Sequence, residues 1–430
     1  MSSSLVTMID SFDIPEVCAL ELSFNRTRLD NIEEKLERLW DEAGITITPG
    51  WRIAITAGSR GIAEYPRIMK KAVSLVKRAG GIPFIVPAMG SHGGATAEGQ
   101  VELLRHLGIT EQSVGAPIIS SMEVKEIGRT ELGLPVYIDK NALAADGIVL
   151  LNRVKTHTSI REEYQSGLLK MMAIGLAKHV GAVATHNLGV PHLGKNMVRV
   201  GKLALEKLNI VAGISVIENG YEELADVYVS TKDTILEDEP IILKRATSMV
   251  PSIPVPVIDV LIVYEQGKDI SGTGMDPAII GRPINRGPHE GPKVEVLGLL
   301  RLTEKSSGNA SGCGMADFIT KAFRDMIDEE STIVNSLTGM HPGIAKIPAT
   351  LENDELVFKA CLKAAGMFAQ QNPKLVIIKN TKALSKIYVS KAAYESISEV
   401  SSVRKISDYR PIVFDAHGAL VPFWDEDEQH

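Results

Sequence analysis

The sequence predicts an α/β protein with two domains, each built on a mainly parallel sheet, and an active-site cleft between the domains. The chain has 430 residues, which is more than a single hydrophobic core usually serves. Short apolar runs rich in β-branched residues alternate with stretches of helical periodicity. A proline-rich segment near residue 250 separates two such regions. We therefore expect an N-terminal domain at residues 1–250 and a C-terminal domain at residues 257–405, with residues 408–430 packing back on the first.

Three apolar runs in the first half predict parallel strands. They are residues 51–57, 82–88 and 147–152. The helical periodicity at Tyr65–Arg78 and Ala97–His106 supplies crossover connections of the kind that parallel strands need. Ligands in such sheets bind at the carboxyl ends of the strands. Because Arg60, His92 and His157 follow the predicted strands, we expect these side chains to lie along one edge of the sheet.

The second half of the sequence repeats this alternation. Its predicted strands are residues 257–264, 294–302 and 374–379. The stretch Met315–Ile327 has apolar residues at helical spacing and predicts a helix, and Tyr409–Asp415 predicts a last strand. The acidic stretch at residues 425–428 predicts a solvated end.

Net charge, cysteine spacing and apolar runs argue against several classes of binding partner and cellular location. A net charge of −7 without a basic run argues against nucleic acid or an anionic membrane. The widely spaced Cys18, Cys313 and Cys361 argue against a disulfide framework or structural zinc, and Cys313 is interpreted as a small buried residue. The first residues lack a secretion signal, and no run of about eighteen apolar residues predicts a membrane span. We expect a cytoplasmic protein that binds a small molecule, and leave its oligomeric state open.

His157, Lys170 and His186 carry the most chemical information. Lys170 lies between two leucines and two methionines, and because burying an ammonium is costly, this favours a functional or covalently modified amine over a surface lysine. Two imidazoles that titrate near neutrality can move protons or bind a metal. A polar loop residue is the alternative for His157. The nearby His179 and His192 leave a metal cluster as another alternative, although the sequence contains no HExxH or CxxC motif.

Glycine-rich turns follow several of the predicted strands. Gly90, Ser91 and His92 form one that would let a ligand approach the backbone closely, and a tight turn with a surface histidine is the alternative. Two more lie in the second half, at residues 267–276 and 306–317. Neither contains a P-loop motif, so they are structural turns or part of a cleft that closes on a ligand.

Taken in order, these motifs resemble the nickel-dependent lactate racemase family, whose members use a nickel-pincer nucleotide. The resemblance runs through about the first 190 residues and is looser in the second half. It is carried by Ser59-Arg60, Ala88-Met-Gly90-Ser91-His92, His157, Ser166-Gly167-Leu-Leu-Lys170 and, sixteen positions after the lysine, His186. At these places the family has Thr-Arg, Asn-Gly-Thr-His, a second catalytic histidine, Gly-Gly-Arg-Lys and a nickel-binding histidine.

The resemblance implies a role for each of five residues. Lys170 would hold the cofactor covalently through a thioamide, and His186 would bind its nickel. His92 and His157 would lie on opposite faces of the substrate as an acid and base pair, while Arg60 would bind the substrate carboxylate. These roles make residues 1–250 the cofactor-binding and catalytic domain.

The resemblance also implies further contacts and an activity. Ser59, Gly90 and Ser91 would contact the cofactor, and Lys268 would replace the polar residues that the family has in its second domain. The activity would be racemisation or epimerisation of a 2-hydroxy acid by reversible hydride transfer, dependent on cofactor-synthesis enzymes. Because the segment from His157 to Lys170 is slightly longer than in the lactate enzymes, a larger 2-hydroxy acid or a polyol-derived acid is at least as good a candidate as lactate. A redox enzyme or another isomerase acting on an alcohol, and a non-catalytic binding protein, are the alternatives.

Overall fold

The computed structural model describes residues 7–9, 12–59, 61–157, 160, 162–186, 190–284, 291–338, 341–366 and 371–424. The chain forms two compact units. The first unit is Asn25–Val250, and the second unit is Met1–Phe24 together with Pro251–His430.

The secondary structure alternates between strands and helices. The strands are β1 (Val17–Leu22), β2 (Arg52–Ala57), β3 (Ile82–Pro87), β4 (Val124–Arg129), β5 (Pro135–Asp139), β6 (Gly147–Arg153), β7 (Ile210–Glu218), β8 (Leu224–Ser230), β9 (Val257–Gln266), β10 (Lys293–Leu302), β11 (Phe318–Thr320), β12 (Ala349–Leu351), β13 (Leu375–Ile378), β14 (Lys386–Ser390) and β15 (Val403–Lys405). The α-helices are α1 (Ile32–Glu42), α2 (Tyr65–Arg78), α3 (Ala97–His106), α4 (Glu111–Val114), α5 (Lys140–Leu143), α6 (Gly167–Lys170), α7 (Lys178–His186), α8 (Val190–Lys207), α9 (Ile235–Thr247), α10 (Lys321–Asp325), α11 (Glu329–Thr338), α12 (Asp354–Ala364) and α13 (Lys391–Glu395).

The first unit is built on a five-stranded sheet in the order β3-β2-β6-β7-β8. All neighbours are parallel except the antiparallel pair β7 and β8. Because successive side chains of a strand point to opposite faces, Val149 and Leu151 of β6 pack in a core with α1 and α2. Ile148 and Leu150 pack in a second core with α6 and α8. The sheet is therefore covered on both faces, and the helix that contains Lys170 lies on the second face.

The strands and helices predicted for the first half are confirmed. The predicted strands correspond to β2, β3 and β6, and the predicted helices to α2 and α3. Each strand sequence is apolar and ends where small or polar residues begin, so its local pattern identifies it.

The second unit is built on an eight-stranded sheet in the order β12-β11-β10-β9-β13-β14-β1-β15. Strands β12 to β13 of this order are parallel, and the last three pairings are antiparallel. The protein is thus an α/β protein with two mainly parallel sheets, as predicted. The expected cleft between the two domains stays a prediction.

The predicted domain limits are corrected at both ends of the chain. Strand β1 does not belong to an N-terminal domain, because it lies between β14 and β15 with Val17 opposite Ser390. Its alternate residues are buried in the two cores of the second unit, so both faces of β1 are covered by apolar residues of that unit. The described part of residues 408–430 also packs on the second unit, where Trp424 lies 4.7 Å from the ring of Tyr264 and Phe423 stacks on Tyr388.

Two predicted elements of the second half are wrong. Residues 315–327 contain the short strand β11 followed by α10, whose first turn is capped by Thr320 accepting from Phe323 N at 3.0 Å. Residues 409–415 form isolated bridges to Val17 and Leu420 instead of a strand. Pro411 interrupts that run, because proline has no N–H to donate to a ladder. The acidic stretch 425–428 lies outside the described residues.

Two further expectations concern cysteines and membranes. All three cysteines are buried and free, and burial raises the pKa of Cys313 to about 11, as expected of a small buried residue. Within the described ranges, no single helix is long and apolar enough to cross a membrane. Gly167–Gly175 and Lys178–Thr185 together meet the requirement of length and composition, but they are bent by 109°.

Asp354→Asn is expected to destabilise the second unit. The carboxylate is buried, accepts two hydrogen bonds from Arg301 at 2.6 and 2.8 Å, and accepts a third from Leu420 N at 2.7 Å. Asparagine keeps the volume but leaves the mostly buried Arg301 without its counter-charge, at a cost of about 3 kcal/mol. Urea unfolding followed by tryptophan fluorescence measures the loss. Asp325→Asn, which breaks the exposed pair with Lys321, should cost less than about 1 kcal/mol, and equal losses would contradict this assignment.

Candidate active site

A π-helical turn at Met171–Gly175, called the π segment below, lies at the centre of the candidate site. It follows α6 and precedes α7, so Lys170 stands immediately before it and α7 ends at His186. Leu176 N donates to Met171 O at 2.8 Å, which is the wider hydrogen-bond spacing of a π turn. Such turns are rare in helices and occur frequently at functional sites.

The turn Ala88–His92, called the His92 turn below, follows β3 and packs directly on the π segment. Gly90 N donates to Gly175 O at 3.1 Å. A Cβ atom on Gly175 would lie only 2.7 Å from Ala88 O, and Gly90 has a φ of +58°. Two glycines are therefore needed for this close approach of the two backbones. Gly90 and Ser91 thus lie beside the segment that follows Lys170.

His92 is exposed at the end of this turn, and its backbone fixes its ring. The His92 N–H donates to Met89 O at 3.1 Å, and the ring Nδ1 lies 2.9 Å from the same oxygen. Because a carbonyl only accepts, Nδ1 must carry the proton that it donates. A neutral ring held in this way has its acceptor lone pair on Nε2. This is the tautomer that a general base acting through Nε2 requires.

The segment that contains His157 runs beside the residues that precede α6. His157 N donates to Gln165 Oε1 at 3.0 Å, and Lys155 N donates to Ser166 Oγ at 2.7 Å. The Ser166 hydroxyl in turn donates to Lys155 O at 2.5 Å. Asn152, near the end of β6, donates to Gly167 O at 2.7 Å. The half-buried His157 and the start of the Lys170 helix are therefore held together by side-chain to backbone hydrogen bonds.

Ser59 follows β2 at the same edge of the sheet. A Cβ on Gly58 would lie 3.4 Å from Met171 Cε and 3.6 Å from Asn152 Oδ1, so the strand end lies beside the π segment. The Tyr65 hydroxyl accepts from Gly58 N at 2.7 Å and holds the backbone before Ser59. The predicted carboxylate-binding residue, Arg60, lies outside the described residues.

Lys170 is half-buried, whereas Leu168 and Leu169 before it are fully buried. The first turn of its helix is bound by a carboxylate: Glu239 Oε2 accepts from Leu168 N at 2.7 Å and from Leu169 N at 3.1 Å. A Cβ on Gly167 would lie 2.8 Å from Glu239 Cδ, so glycine makes room for this contact. Burial raises the pKa of Glu239 to about 8, although both amide donors oppose the shift.

Sequence reasoning missed Glu239, although a signal was present. It stands in an acidic run, which is typical of an exposed helix face. However, it lies on the same helical face as the buried Ile235, Ile242 and Leu243 of α9. A charged residue on an apolar helix face is a candidate for a buried, specifically paired group.

Helix α7 connects the π segment to His186. Its Thr185 is buried, and the hydroxyl donates to Gly181 O at 2.9 Å and lies 3.5 Å from Ala173 O in the π segment. The backbone of His186 therefore lies next to the π segment, and its side chain is outside the described atoms. Among the described residues, no group of three or more His, Cys, Asp and Glu is arranged to hold a metal ion.

Lys178, at the start of α7, is a second residue that sequence reasoning missed. It is fully buried together with Asp139 and Gln100. Its Nζ lies 3.3 Å from Asp139 Oδ2, donates to Gln100 Oε1 at 3.0 Å and also donates to Pro87 O. Burial lowers the pKa of Lys178 and raises that of Asp139, and their mutual attraction opposes both shifts. Lys178 has the same apolar sequence surroundings as Lys170, which was the available signal.

Lys268 lies in the second unit, in the glycine-rich loop after β9. Its Nζ donates to Asn335 Oδ1 at 2.7 Å and to Gly272 O at 2.5 Å. Its backbone N–H donates to Ser306 Oγ at 2.9 Å, which joins this loop to the one after β10. The predicted role of Lys268 as a ligand contact stays a prediction, since its ammonium already binds the loop.

The fold and the site define a class of protein. It is an α/β protein in which His92 follows β3 and His157 follows β6 at the carboxyl edge of a parallel sheet, and the half-buried Lys170 directly precedes a π-helical turn. A family model described as "Domain of unknown function (DUF362)" matches residues 53–235, which contain the whole of this arrangement.

The structure of the lactate racemase apoprotein from Thermoanaerobacterium thermosaccharolyticum is distantly similar, with a TM-score of 0.48 and 13% sequence identity, over 90% of this chain and 96% of that chain. No protein of curated function matches the sequence.

Glu239→Gln is expected to change how stability depends on pH. Because burial raises the pKa of Glu239 from 4.5 to about 8, the unfolded state releases this proton at a lower pH than the folded state. The free energy of unfolding therefore falls as pH rises from about 4.5 to about 8, by an amount on the order of 5 kcal/mol. Glutamine has no titrating proton, and its Oε1 can still accept from the two amides. The free energy of unfolding of the variant should therefore not decrease over this pH range.

Urea unfolding between about pH 5 and pH 9 measures this difference. The stability of Glu239→Gln relative to the natural protein should rise with pH. Glu237→Gln, at an exposed position of the same helix, should follow the natural protein. Parallel profiles for all three proteins would mean that Glu239 does not keep its proton.

Proposed function

We propose that the protein is a racemase or epimerase of 2-hydroxy acids that uses a nickel-pincer nucleotide held covalently by Lys170. One observation carries this proposal. The His92 turn packs on the π segment, which directly follows the helix of Lys170, and the segment of His157 is hydrogen-bonded to the residues just before that helix, all within one unit of the chain. The motif resemblance assigns these same residues to a single site.

The places of Lys170 and His186 in the first unit support the proposed cofactor. A pincer nucleotide supplies most of its own nickel ligands and asks the protein for one amine and one imidazole. Lys170 would supply the amine, from a helix whose first turn is bound by Glu239. His186 would supply the imidazole, at the end of the helix that packs back on the π segment. When bound, the cofactor supplies reversible acceptance of the hydride on C2 of the substrate.

The chain's own residues would handle the proton and the carboxylate. His92, with Nδ1 donating to Met89 O, would accept the substrate's hydroxyl proton at Nε2. His157 would serve the opposite enantiomer in the same way, because near-neutral imidazoles can act in either direction. Arg60 would bind the carboxylate through its paired N–H groups. A larger 2-hydroxy acid or a polyol-derived acid is as good a candidate substrate as lactate.

Protein produced with nickel and the cofactor-synthesis enzymes should gain mass at Lys170. Intact-mass analysis followed by peptide mapping measures the adduct. Lys170→Arg should abolish it, because a guanidinium cannot form the thioamide. Lys207→Arg, a control at an exposed lysine of α8, should leave it unchanged. Unmodified Lys170 in protein that turns over a hydroxy acid would end the covalent-cofactor proposal.

In cofactor-loaded protein, His92→Gln and His157→Gln should each lower turnover about 10²-fold to 10⁴-fold, because each removes a proton-transfer group. Substrate deuterated at C2 should keep its label in the product, since the same hydride returns. His106→Gln, at an exposed histidine of α3, is the control.

The other outcomes separate the alternatives. Loss of the label to solvent would indicate an isomerase that removes a C2 proton. Accumulated keto acid would indicate a redox enzyme, and binding without turnover would indicate a non-catalytic protein.

A further inference from the structure

The buried lysine at the start of α7 has two costly features. Lys178 is completely buried, and its φ of +54° is in the left-handed region that residues with side chains rarely adopt. A buried charge is unfavourable unless it is well paired, and a left-handed backbone is unfavourable for a residue with a side chain. Two such unfavourable features at one residue suggest that the position of Lys178 serves a nearby site.

The polar contacts of Lys178 lead to the His92 turn. Its ammonium donates to Gln100 Oε1 at 3.0 Å and to Pro87 O, at the end of the strand before that turn. The carboxamide of Gln100 then donates through Nε2 to Gly90 O at 3.1 Å and to His92 O at 3.3 Å. One hydrogen-bonded path therefore runs from Lys178 through Gln100 to the carbonyl of His92.

This path fixes the orientation of the Gln100 amide. Gly90 O and His92 O can only accept, so they require the NH₂ group, and the ammonium of Lys178 can only donate, so it requires the oxygen. Asp139 provides the counter-charge at 3.3 Å from Nζ. Its Oδ1 also caps α5, accepting from Asn141 N at 2.7 Å and Ala142 N at 2.9 Å. The network therefore requires one orientation of the Gln100 amide, while Asp139 Oδ2 meets Lys178 as an ion-pair partner and not as a hydrogen-bond acceptor.

We propose that Lys178 is a positioning residue for His92: through Gln100 it holds the His92 turn in the geometry that keeps the imidazole in its Nδ1–H tautomer. The inference rests on the proposed proton-transfer role of His92. Lys178 and Gln100 do not touch the substrate, and they act by fixing the two carbonyls of the turn. Because Lys178 is also the first residue of α7, its hydrogen bonds connect the His92 turn to the helix that ends at His186.

The test measures the tautomer of the His92 ring by ¹⁵N NMR of protein labelled at histidine, with His92→Gln used to assign the signal. In the natural protein, the neutral ring should be a single Nδ1–H tautomer. Lys178→Met and Gln100→Met keep side-chain length but interrupt the path. Each should produce a substantial second population, the Nε2–H form. If Lys178 acts through Gln100, the double variant should look like Gln100→Met alone.

A general loss of stability must be separated from a loss of positioning. Lys35→Met removes the lysine of another ion pair in the first unit, formed with the buried Asp226. It should lower the melting temperature and leave the His92 signal unchanged. If Lys178→Met does not fold, Lys178→Met with Asp139→Asn leaves no buried unpaired charge and gives the same comparison. A single Nδ1–H tautomer in folded Lys178→Met or Gln100→Met, or an equal change in Lys35→Met, overturns the proposal.

The tautomer measurement needs neither cofactor nor substrate. Absence of racemase activity would therefore remove the proposed function and leave the positioning result standing. Where loaded enzyme is active, Lys178→Met should lower kcat about tenfold or more with a smaller change in KM, because misplaced groups mainly affect the chemical step.

Discussion

The contact between the backbone of the His92 turn and the backbone of the π segment holds the candidate site together. Gly90 N binds Gly175 O, and the space at Gly175 is closed on its other sides by Ala88 O and Met171 Sδ, each 2.7 Å from where a Cβ would stand. A side chain cannot fit at Gly175, and the φ of +58° at Gly90 favours glycine, so the contact depends on the two glycines. It brings together a strand end and a helix that are far apart in sequence. The backbone positions of His92 and Lys170 are consequently fixed relative to each other.

Helix α6, which contains Lys170, is fixed to the sheet by close packing of apolar residues. A Cβ on Gly213 of β7 would lie 2.3 Å from Leu168 Cδ1, and a Cβ on Gly201 of α8 would lie 2.6 Å from Leu169 Cγ. Apolar packing alone leaves a short helix some freedom to slide or rotate, because it has no direction. Buried polar groups on both sides of the π segment restrict that freedom: Glu239 binds the first turn of α6, and Lys178, which lies just after the π segment, donates to Gln100 and to Pro87 O. Directional bonds in a low dielectric are strong enough to specify one arrangement.

The extent to which the sequence predicts this structure depends on how local each interaction is. Strands β2, β3 and β6 and helix α2 follow from local patterns of apolar residues. Strand β1 has such a pattern too, but its partner Ser390 lies hundreds of residues away, and the pattern does not specify the partner. In the stretch 315–327, Met315, Ile319 and Phe323 are all buried at helical spacing, yet they lie in three different elements: a 3₁₀ turn, a strand and a short helix. Burial at that spacing is therefore not sufficient to predict a helix.

The same reasoning explains why Lys170 was recognised and Lys178 was not. Both lysines have apolar neighbours, but the helical periodicity is interrupted between them by the π segment and by a bend of 109°. The face on which Lys170 lies therefore gives no information about the face on which Lys178 lies. Only the folded chain distinguishes a half-buried amine, suited to covalent chemistry, from a fully buried one that is suited to holding a turn.

Under the proposed function, the hydrogen bonds that Lys268 already makes bear on where the substrate would be recognised. Its ammonium already donates to Asn335 Oδ1 and Gly272 O, and hydrogen bonds to a charged group contribute about 1.5 to 3 kcal/mol each. A substrate carboxylate would have to replace these partners, so much of the energy of the new ion pair would be offset. Under the proposed function, the carboxylate would instead be bound bidentately by Arg60, which lies outside the described residues. We therefore expect the first unit to determine how the acid is oriented, with Lys268 mainly stabilising the glycine-rich loop of the second unit.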